Sequence, residues 1–344
     1  MHITQERGLI NDLDSLPFPA REEIDMKNYL IPPGYIRSYI LNKVGTIYSS
    51  RGCPGKCTFC CSYASYKGKY RQRSINNVIK EIDFLIKKYN IEGLYFNDET
   101  FTYDKKWVIE FCNRIKSYNL PWGLATRVTL VDYNLLKIMK DSGCMQIDYG
   151  VESGSDRILK LLKKGTSRKI IENAFSLTHK AGIRTLATIM VGSPSETKKD
   201  IDLTIDLLRK IKPNFTLSTF FVPLPGTEVY NELVKDKKIN PDFYKNMDYH
   251  IVIADTPLIN VSAMSDAELI KSKACIDQAT FLRNYISLIT LHNLSFMIKV
   301  VYYSFLSPQL LFKNLFIFIK TQRSDKLIGF LLNNYQTFYL KNKN

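Results

Sequence analysis

Ser50-Arg51-Gly52-Cys53-Pro54-Gly55-Lys56-Cys57-Thr58-Phe59-Cys60 is the stretch on which the reading of this chain turns. Its cysteines have the spacing C-x3-C-x2-C. Cysteine is scarce here, 7 of 344 residues, so three within eight positions need a physical cause. Three thiolates this close can hold three corners of an iron–sulfur cube and leave the fourth iron without a protein ligand. A structural zinc site is the competing reading. Zinc wants four closed ligands, usually as two separated pairs, and Cys61, Cys112, Cys144 and Cys275 supply no second pair. Disulfides fit poorly with an odd cysteine count and with no secretory signal opening the chain.

The residues between the cysteines suit a cluster loop. Gly52 and Gly55 let the backbone bend and turn N–H groups toward sulfur, and Pro54 stiffens the turn. Arg51 and Lys56 bring positive charge beside an anionic cluster, or are ordinary surface charge in a lysine-rich chain. Phe59 is either a core aromatic or a ring packed on a flat group beside the open iron.

Around this loop the chain resembles the radical S-adenosylmethionine (SAM) enzymes, whose signature is a C-x3-C-x-aromatic-C loop after the first barrel strand. The resemblance implies a 4Fe–4S cluster on Cys53, Cys57 and Cys60. SAM would chelate the fourth iron, and Phe59 would contact adenine. It leaves Cys61 without a role.

From about residue 43 to 235 apolar runs alternate with amphipathic stretches. Strands are expected at 43–50, 92–97, 121–127, 144–151, 183–191 and 214–222. Helices are expected at 74–89, 104–118, 132–142, 155–181 (as two) and 195–211, with a short one after 226. Asp104 and Asp132 read as N-caps, Gly143 and Gly182 as helix-ending glycines. Such units predict an α/β fold with a parallel sheet and crossover helices. Periodicity leaves a doubly wound sheet and a partial barrel both open; the resemblance selects a partial (β/α)6 TIM-like barrel.

Polar residues recur where strands should end, which is where parallel α/β folds gather functional groups. Asn97-Asp98-Glu99 follows the second strand and reads either as loop residues or as acceptors for an ammonium group. The resemblance assigns these three collectively to the amino group of SAM. Arg127 ends the third strand; its planar fork suits a carboxylate, and the alternative is an ion pair across the barrel mouth. Gly150-Val151-Glu152-Ser153-Gly154 ends the fourth. Glu152 can accept from two hydroxyls or cap the helix that follows. It and Ser153 fall where cobalamin-type radical SAM relatives contact ribose. Met190-Val191-Gly192-Ser193-Pro194-Ser195-Glu196-Thr197 ends the fifth and resembles a segment whose backbone, at Gly192, lies against adenine. Val222-Pro223-Leu224-Pro225-Gly226-Thr227 ends the sixth and is also close to a family pattern. His2, His179, His250 and His292 are scattered without metal-ligand spacing. No catalytic residue is assigned.

Three divisions follow. Residues 1–42 read as an N-terminal linker, with Leu13-Asp14-Ser15-Leu16-Pro17-Phe18-Pro19-Ala20-Arg21 resembling the junction between a cobalamin-binding domain and the radical core. Only about a dozen residues precede it, so the cobalamin-binding domain is expected to be lost or cut off, and cobalamin is not expected in this chain. Residues 43–249 form the barrel. Residues 250–344 form an apolar, basic helical region with no clean transmembrane run. Its 284–320 stretch, apolar with interspersed lysines, suits either core helices or a peripheral membrane contact.

The chain is 45% hydrophobic and 24% charged, as a folded protein should be. A formal charge of +15 suits nucleic acid, an anionic membrane or an acidic substrate, and also follows from an Asn/Ile/Lys-rich composition. Cysteines without a leader point to a reducing cytoplasm; membrane association would follow only from the second reading of 284–320. The resemblance implies reductive cleavage of SAM to a 5′-deoxyadenosyl radical. That radical would abstract hydrogen from an unactivated carbon of a small apolar metabolite, in an oxidation, cyclisation or methylation. An electron donor such as flavodoxin or ferredoxin is the implied partner. Nucleic acid is not expected. The alternatives are an RNA-modifying methylthiotransferase-like enzyme, which the charge suits, and a non-catalytic partner of a full-length radical SAM enzyme.

Overall fold

The computed structural model describes residues 7–30, 43–240, 242, 244 and 256–286. Strand β1 (Val44–Ile47) leads into a short strand β2 (Ser50–Arg51), the cysteine loop, helix α1 (Cys61–Tyr66) and strand β3 (Arg71–Gln72). Helices and strands then alternate: α2 (Ile75–Tyr89), β4 (Gly93–Phe96), α3 (Lys105–Ile115), β5 (Trp122–Thr126), α4 (Tyr133–Asp141) and β6 (Cys144–Glu152). After these come α5 (Asp156–Leu161), α6 (Arg168–Lys180), β7 (Arg184–Val191), α7 (Lys198–Ile211), β8 (Phe215–Phe220), α8 (Glu228–Lys235) and α9 (Asp266–Ile286).

Six strands form one sheet in the order β1-β4-β5-β6-β7-β8, every neighbouring pair parallel. A doubly wound sheet would reverse its strand order at a switch point, and this one does not. Strands side by side in chain order, with helices between them, make the partial (β/α)6 barrel expected from the sequence.

Local chemistry sets the helix starts. Asp104 accepts from the Trp107 N–H at 3.0 Å and Asp132 from the Leu135 N–H at 2.9 Å, as N-caps should. Helix α7 opens at Lys198 rather than 195. Ser195 takes a left-handed φ of 56°, Glu196 folds back on Gly192, and Thr197 with Asp200 forms a capping box.

The sheet separates two environments. On its outer side Phe96, Phe101, Phe111 and Trp122 are buried with ring centroids 4.6 to 5.9 Å apart, and such interlocked rings supply much of the core's apolar burial. On its inner side the Tyr95 hydroxyl and Gln146 amide donate to Asp148 at 2.6 and 2.8 Å. The same face carries the half-buried Ala125, Gly150, Thr188 and Thr219 nearer the strand ends. By register Met190 and Leu217 share this face. Helix α9 packs on β8 and α7, with Ser218 donating to Asp277 and Lys273 paired to the same carboxylate at 2.8 Å.

The described part of the N-terminal segment is docked. Val44 donates its N–H to the Leu30 carbonyl at 2.8 Å. Arg21 pairs with the buried Glu81 on α2 at 2.6 Å, and Asp14 accepts from Ser74 at the start of α2. His179 hydrogen-bonds Thr185 on the outer side of β7. His2, His250 and His292, all but the first three residues of 284–320, and most of 250–344 lie outside the described residues. Among the described residues no helix is long and apolar enough to cross a membrane.

Candidate functional site

The cysteine loop is strung from the C-terminal side of β1 and clamped on all sides. Residues Ser50 and Arg51 pair antiparallel with Gln72 and Arg71, so the loop and α1 form the crown of a two-stranded hairpin. Gly52 sits at φ 92°, and any Cβ there would overlap the Lys69 carbonyl oxygen; only glycine allows that crossing. The Thr58 N–H donates to the Leu162 carbonyl at 3.0 Å, and the Thr58 carbonyl accepts from Val229 on α8 at 3.1 Å. Cys53 and Cys57 are buried, Cys60 is half-buried, and all three thiols are free. The Gly55 N–H points at Cys53 Sγ, 3.3 Å away, and Arg127 Nη1 at Cys57 Sγ, 3.4 Å away. Burial raises the Cys60 thiol pKa, opposed by backbone N–H groups of Ser62 and Tyr63. As the side chains stand, no three His, Cys, Asp or Glu residues among the described ones are grouped tightly enough to hold a metal ion.

The residues after β4 divide by role. Asp98 is buried and accepts from the Ser49 N–H at 3.1 Å, the Ser49 hydroxyl at 2.7 Å and the Ser50 hydroxyl. Burial lifts its pKa to about 6 against these donors. Both its oxygens are thus spent fixing the passage from β1 into β2. Glu99 is half-buried and accepts from the Gly52 N–H at 3.2 Å, one residue before Cys53. The Asn97 N–H continues the sheet to the Ile47 carbonyl.

Arg127 and Glu152 meet through a residue the sequence reading did not single out. Lys164, buried in the turn after α5, pairs with Glu152 at 2.7 Å. Its ammonium lies 5.7 Å from the centre of the Phe59 ring, and its carbonyl accepts from Arg127 Nη2. Gly150 makes room for this pair: a Cβ there would stand 2.6 Å from Glu152 Oε1 and 2.7 Å from Lys164 Nζ. Glu152 takes φ 65° where the β6–β7 register shifts, and that bulge re-aims its side chain. For Arg127 burial lowers the pKa, but hydrogen bonds and charge from Cys57 and Cys53 outweigh it and leave the group raised. Phe59, the cysteines, Arg127, Lys164 and Glu152 therefore form one connected set at the barrel mouth. Nothing in the lysine-rich stretch 160–164 marks Lys164 apart from its neighbours.

Two positions behave differently. The Ser153 hydroxyl is buried against Thr204 on α7 and accepts from the Ser155 N–H at 3.2 Å. Gly192, at φ 93°, faces Leu269 of α9 and donates its N–H to Glu196 at 2.6 Å. Glu196 itself is fully buried, with Oε1 unpartnered, and burial raises its pKa to about 7. The sequence reading quoted it within its motif and gave it no role.

Comparison with known proteins fits this arrangement. An uncharacterized methyltransferase of Pyrococcus horikoshii is 31% identical over 229 residues, 65% of this chain and 48% of that protein. The anaerobic magnesium-protoporphyrin IX monomethyl ester cyclase of Cereibacter sphaeroides is 31% identical over 267 residues, 76% of this chain and 41% of that protein. The chain thus spans less than half the length of either relative. The radical S-adenosylmethionine methyltransferase TsrM from Kitasatospora setae, solved with cobalamin and a 4Fe–4S cluster bound, matches with a TM-score of 0.52. That match has 18% identity and covers 56% of this chain and 37% of TsrM, a likeness of fold. The model of the Radical SAM superfamily matches residues 47–208, from the end of β1 into α7, just under half of the chain, and this match supports its classification as a radical-SAM type enzyme.

Proposed function

We propose that Cys53, Cys57 and Cys60 ligate a 4Fe–4S cluster and that SAM binds beside it, to be cleaved reductively to a 5′-deoxyadenosyl radical. The observation that carries the proposal is Arg127. One guanidinium reaches both a thiol of the triplet and the Lys164 turn that holds Glu152, tying the cysteine loop to the polar strand ends. The donor set suits a cluster: three unbridged thiols on one loop, with a backbone N–H and a cation aimed at sulfur. When bound, the cluster supplies the electron and the open iron. The chain's own residues hold and orient the reactants and keep water out.

In this reading Glu99 is a group for an ammonium, because it borders the loop and its second oxygen has no donor among the described residues. Asn97 stands next to it on the same strand end. Asp98 acts through the frame, since Ser49 and Ser50 occupy its oxygens. Glu152 turns toward the ribose diol, exchanging part of its bond to Lys164 for hydroxyl donors. Phe59 and the Gly192 strand end flank adenine, and Ser153 secures β6 against α7. A compact, largely apolar substrate would lie on the inner face above Tyr95 and Asp148, beside Thr188, Met190, Leu217 and Thr219. Hydrogen abstraction from an unactivated carbon there would open an oxidation, a cyclisation or a methylation. The names of the two relatives, a methyltransferase and a cyclase, support those classes.

The test is metal and sulfide content after anaerobic reconstitution. Wild type should carry about four irons and four sulfides per chain, and the triple Cys53/Cys57/Cys60→Ala variant close to none. A zinc-only site, or equal iron in the variant, contradicts the assignment.

A further inference from the structure

The proposed chemistry needs one electron from outside the chain, and positive charge gathers around the cysteine loop. Residues 49–80 contain seven lysines and arginines and no aspartate or glutamate. At the chain's average acid frequency about three acids would stand in a stretch of that length, so general lysine richness does not account for it. Arg51, Lys56, Lys67 and Lys69 from this stretch are exposed.

The geometry concentrates these charges beside the cysteines. The Lys67–Lys69 turn closes α1, with the Lys69 N–H bonded to the Tyr66 carbonyl at 2.9 Å. The Lys69 backbone then crosses directly against Gly52, next in sequence to Cys53. Of the three cysteines Cys60 is the one nearest solvent, and it is the N-cap of α1. Between α1 and α8 lies a groove of about 630 Å³, with Tyr63 and Ala64 on one wall, Asn231 on the other, and Lys67 and Lys235 along it. Its two acids, Glu228 and Glu232, face Lys163; Glu228 is paired to it at 2.5 Å and Glu232 adds to its field. The groove's own lining balances Lys67 and Lys235 against Glu228 and Glu232; the positive excess comes from the adjoining loop, Arg51, Lys56 and Lys69, and its sign selects an acidic partner.

We propose that the groove between α1 and α8, with the outer rim of the cysteine loop, is the docking surface for a small acidic one-electron carrier protein. The inference rests on the cluster assignment above and adds where its electron enters. Such interfaces are small and transient, and charge steering sets their rate. The electron passes from the carrier's reduced cofactor to the oxidised cluster, with no bond made or broken in the protein.

The probe is a purified flavodoxin, and the variant is Lys69→Glu/Lys235→Glu, which touches no cysteine and no strand-end residue. Binding of oxidised flavodoxin to the reconstituted enzyme, followed by interferometry, should weaken at least about tenfold in the variant. Wild-type binding should also fall at least about tenfold as salt rises from roughly 50 to 300 mM. In stopped flow, cluster bleaching by flavodoxin hydroquinone should slow to the same degree. Bleaching by reduced methyl viologen, a cation, should hold steady or quicken. Unchanged flavodoxin binding overturns the proposal. So does equal slowing with both reductants, which would mean the charges act on the cluster itself. Flavodoxin-insensitive binding of a transfer RNA at this face also overturns it, in favour of an RNA surface. Failure of the cluster reading is distinct: wild type would then show no four-iron spectrum and no bleaching by viologen.

Discussion

At the scale of single residues the site is governed by a few buried charges. The Lys164–Glu152 pair is about nine-tenths buried on both sides, so removing one partner strands the other. Lys164→Met should cost about 3 kcal/mol in urea unfolding, and adding Glu152→Gln to it should restore most of the loss. Additive losses in that double-mutant cycle would contradict the pairing. Glu196 gives a pH signature. Its folded pKa, about 7, lies above the ordinary 4.5, so its stabilising contribution is complete below about 4.5 and is lost as pH rises through 7. Glu196→Gln should therefore gain on wild type in thermal melts between pH 5 and 8, by up to roughly 3 kcal/mol, and a gap constant with pH would contradict this. The residues a sequence can announce are those with rare types and tight spacing, such as the three cysteines. Lys164 lacks both, and Asp98 looks the same on paper whether its oxygens face a ligand or the Ser49 and Ser50 hydroxyls.

Elements followed the sequence closely where chemistry is local. The N-caps Asp104 and Asp132 stop the chain where their side chains meet the N–H groups they cap, and the six sheet strands lie within the apolar runs to a residue or so. The hairpin of β2 and β3 around the cysteine loop was not legible, because strands of two residues carry no periodicity. The docking of residues 13–30 was equally hidden. It depends on Arg21 finding Glu81 some sixty residues on, a long-range pairing that no local pattern encodes. The hairpin's crossing at Gly52 offers a test at this scale. Gly52→Ala forces a side chain into the Lys69 carbonyl at a left-handed φ, and should cost about 2 kcal/mol or more in thermal unfolding. It should also lower iron retention after reconstitution, whereas a variant as stable and as iron-loaded as wild type would mean the loop does not rely on that crossing.

For the molecule as a whole, sequential parallel strands place every loop of the C-terminal edge around one mouth, and the cysteine triplet stands among them. The fold and the resemblance to the superfamily could be read from one loop and an alternating pattern; the substrate could not, because it is set by which side chains line the interior and only the register reveals those. On the proposed function, this mouth cleaves SAM by one-electron reduction at a cluster held by Cys53, Cys57 and Cys60. The most direct measurement is 5′-deoxyadenosine formed by anaerobically reconstituted protein given SAM and dithionite. Wild type should form it, and the triple Cys→Ala variant should form none. A variant that still makes 5′-deoxyadenosine, or a wild type that carries the full cluster and leaves SAM intact, would contradict that function.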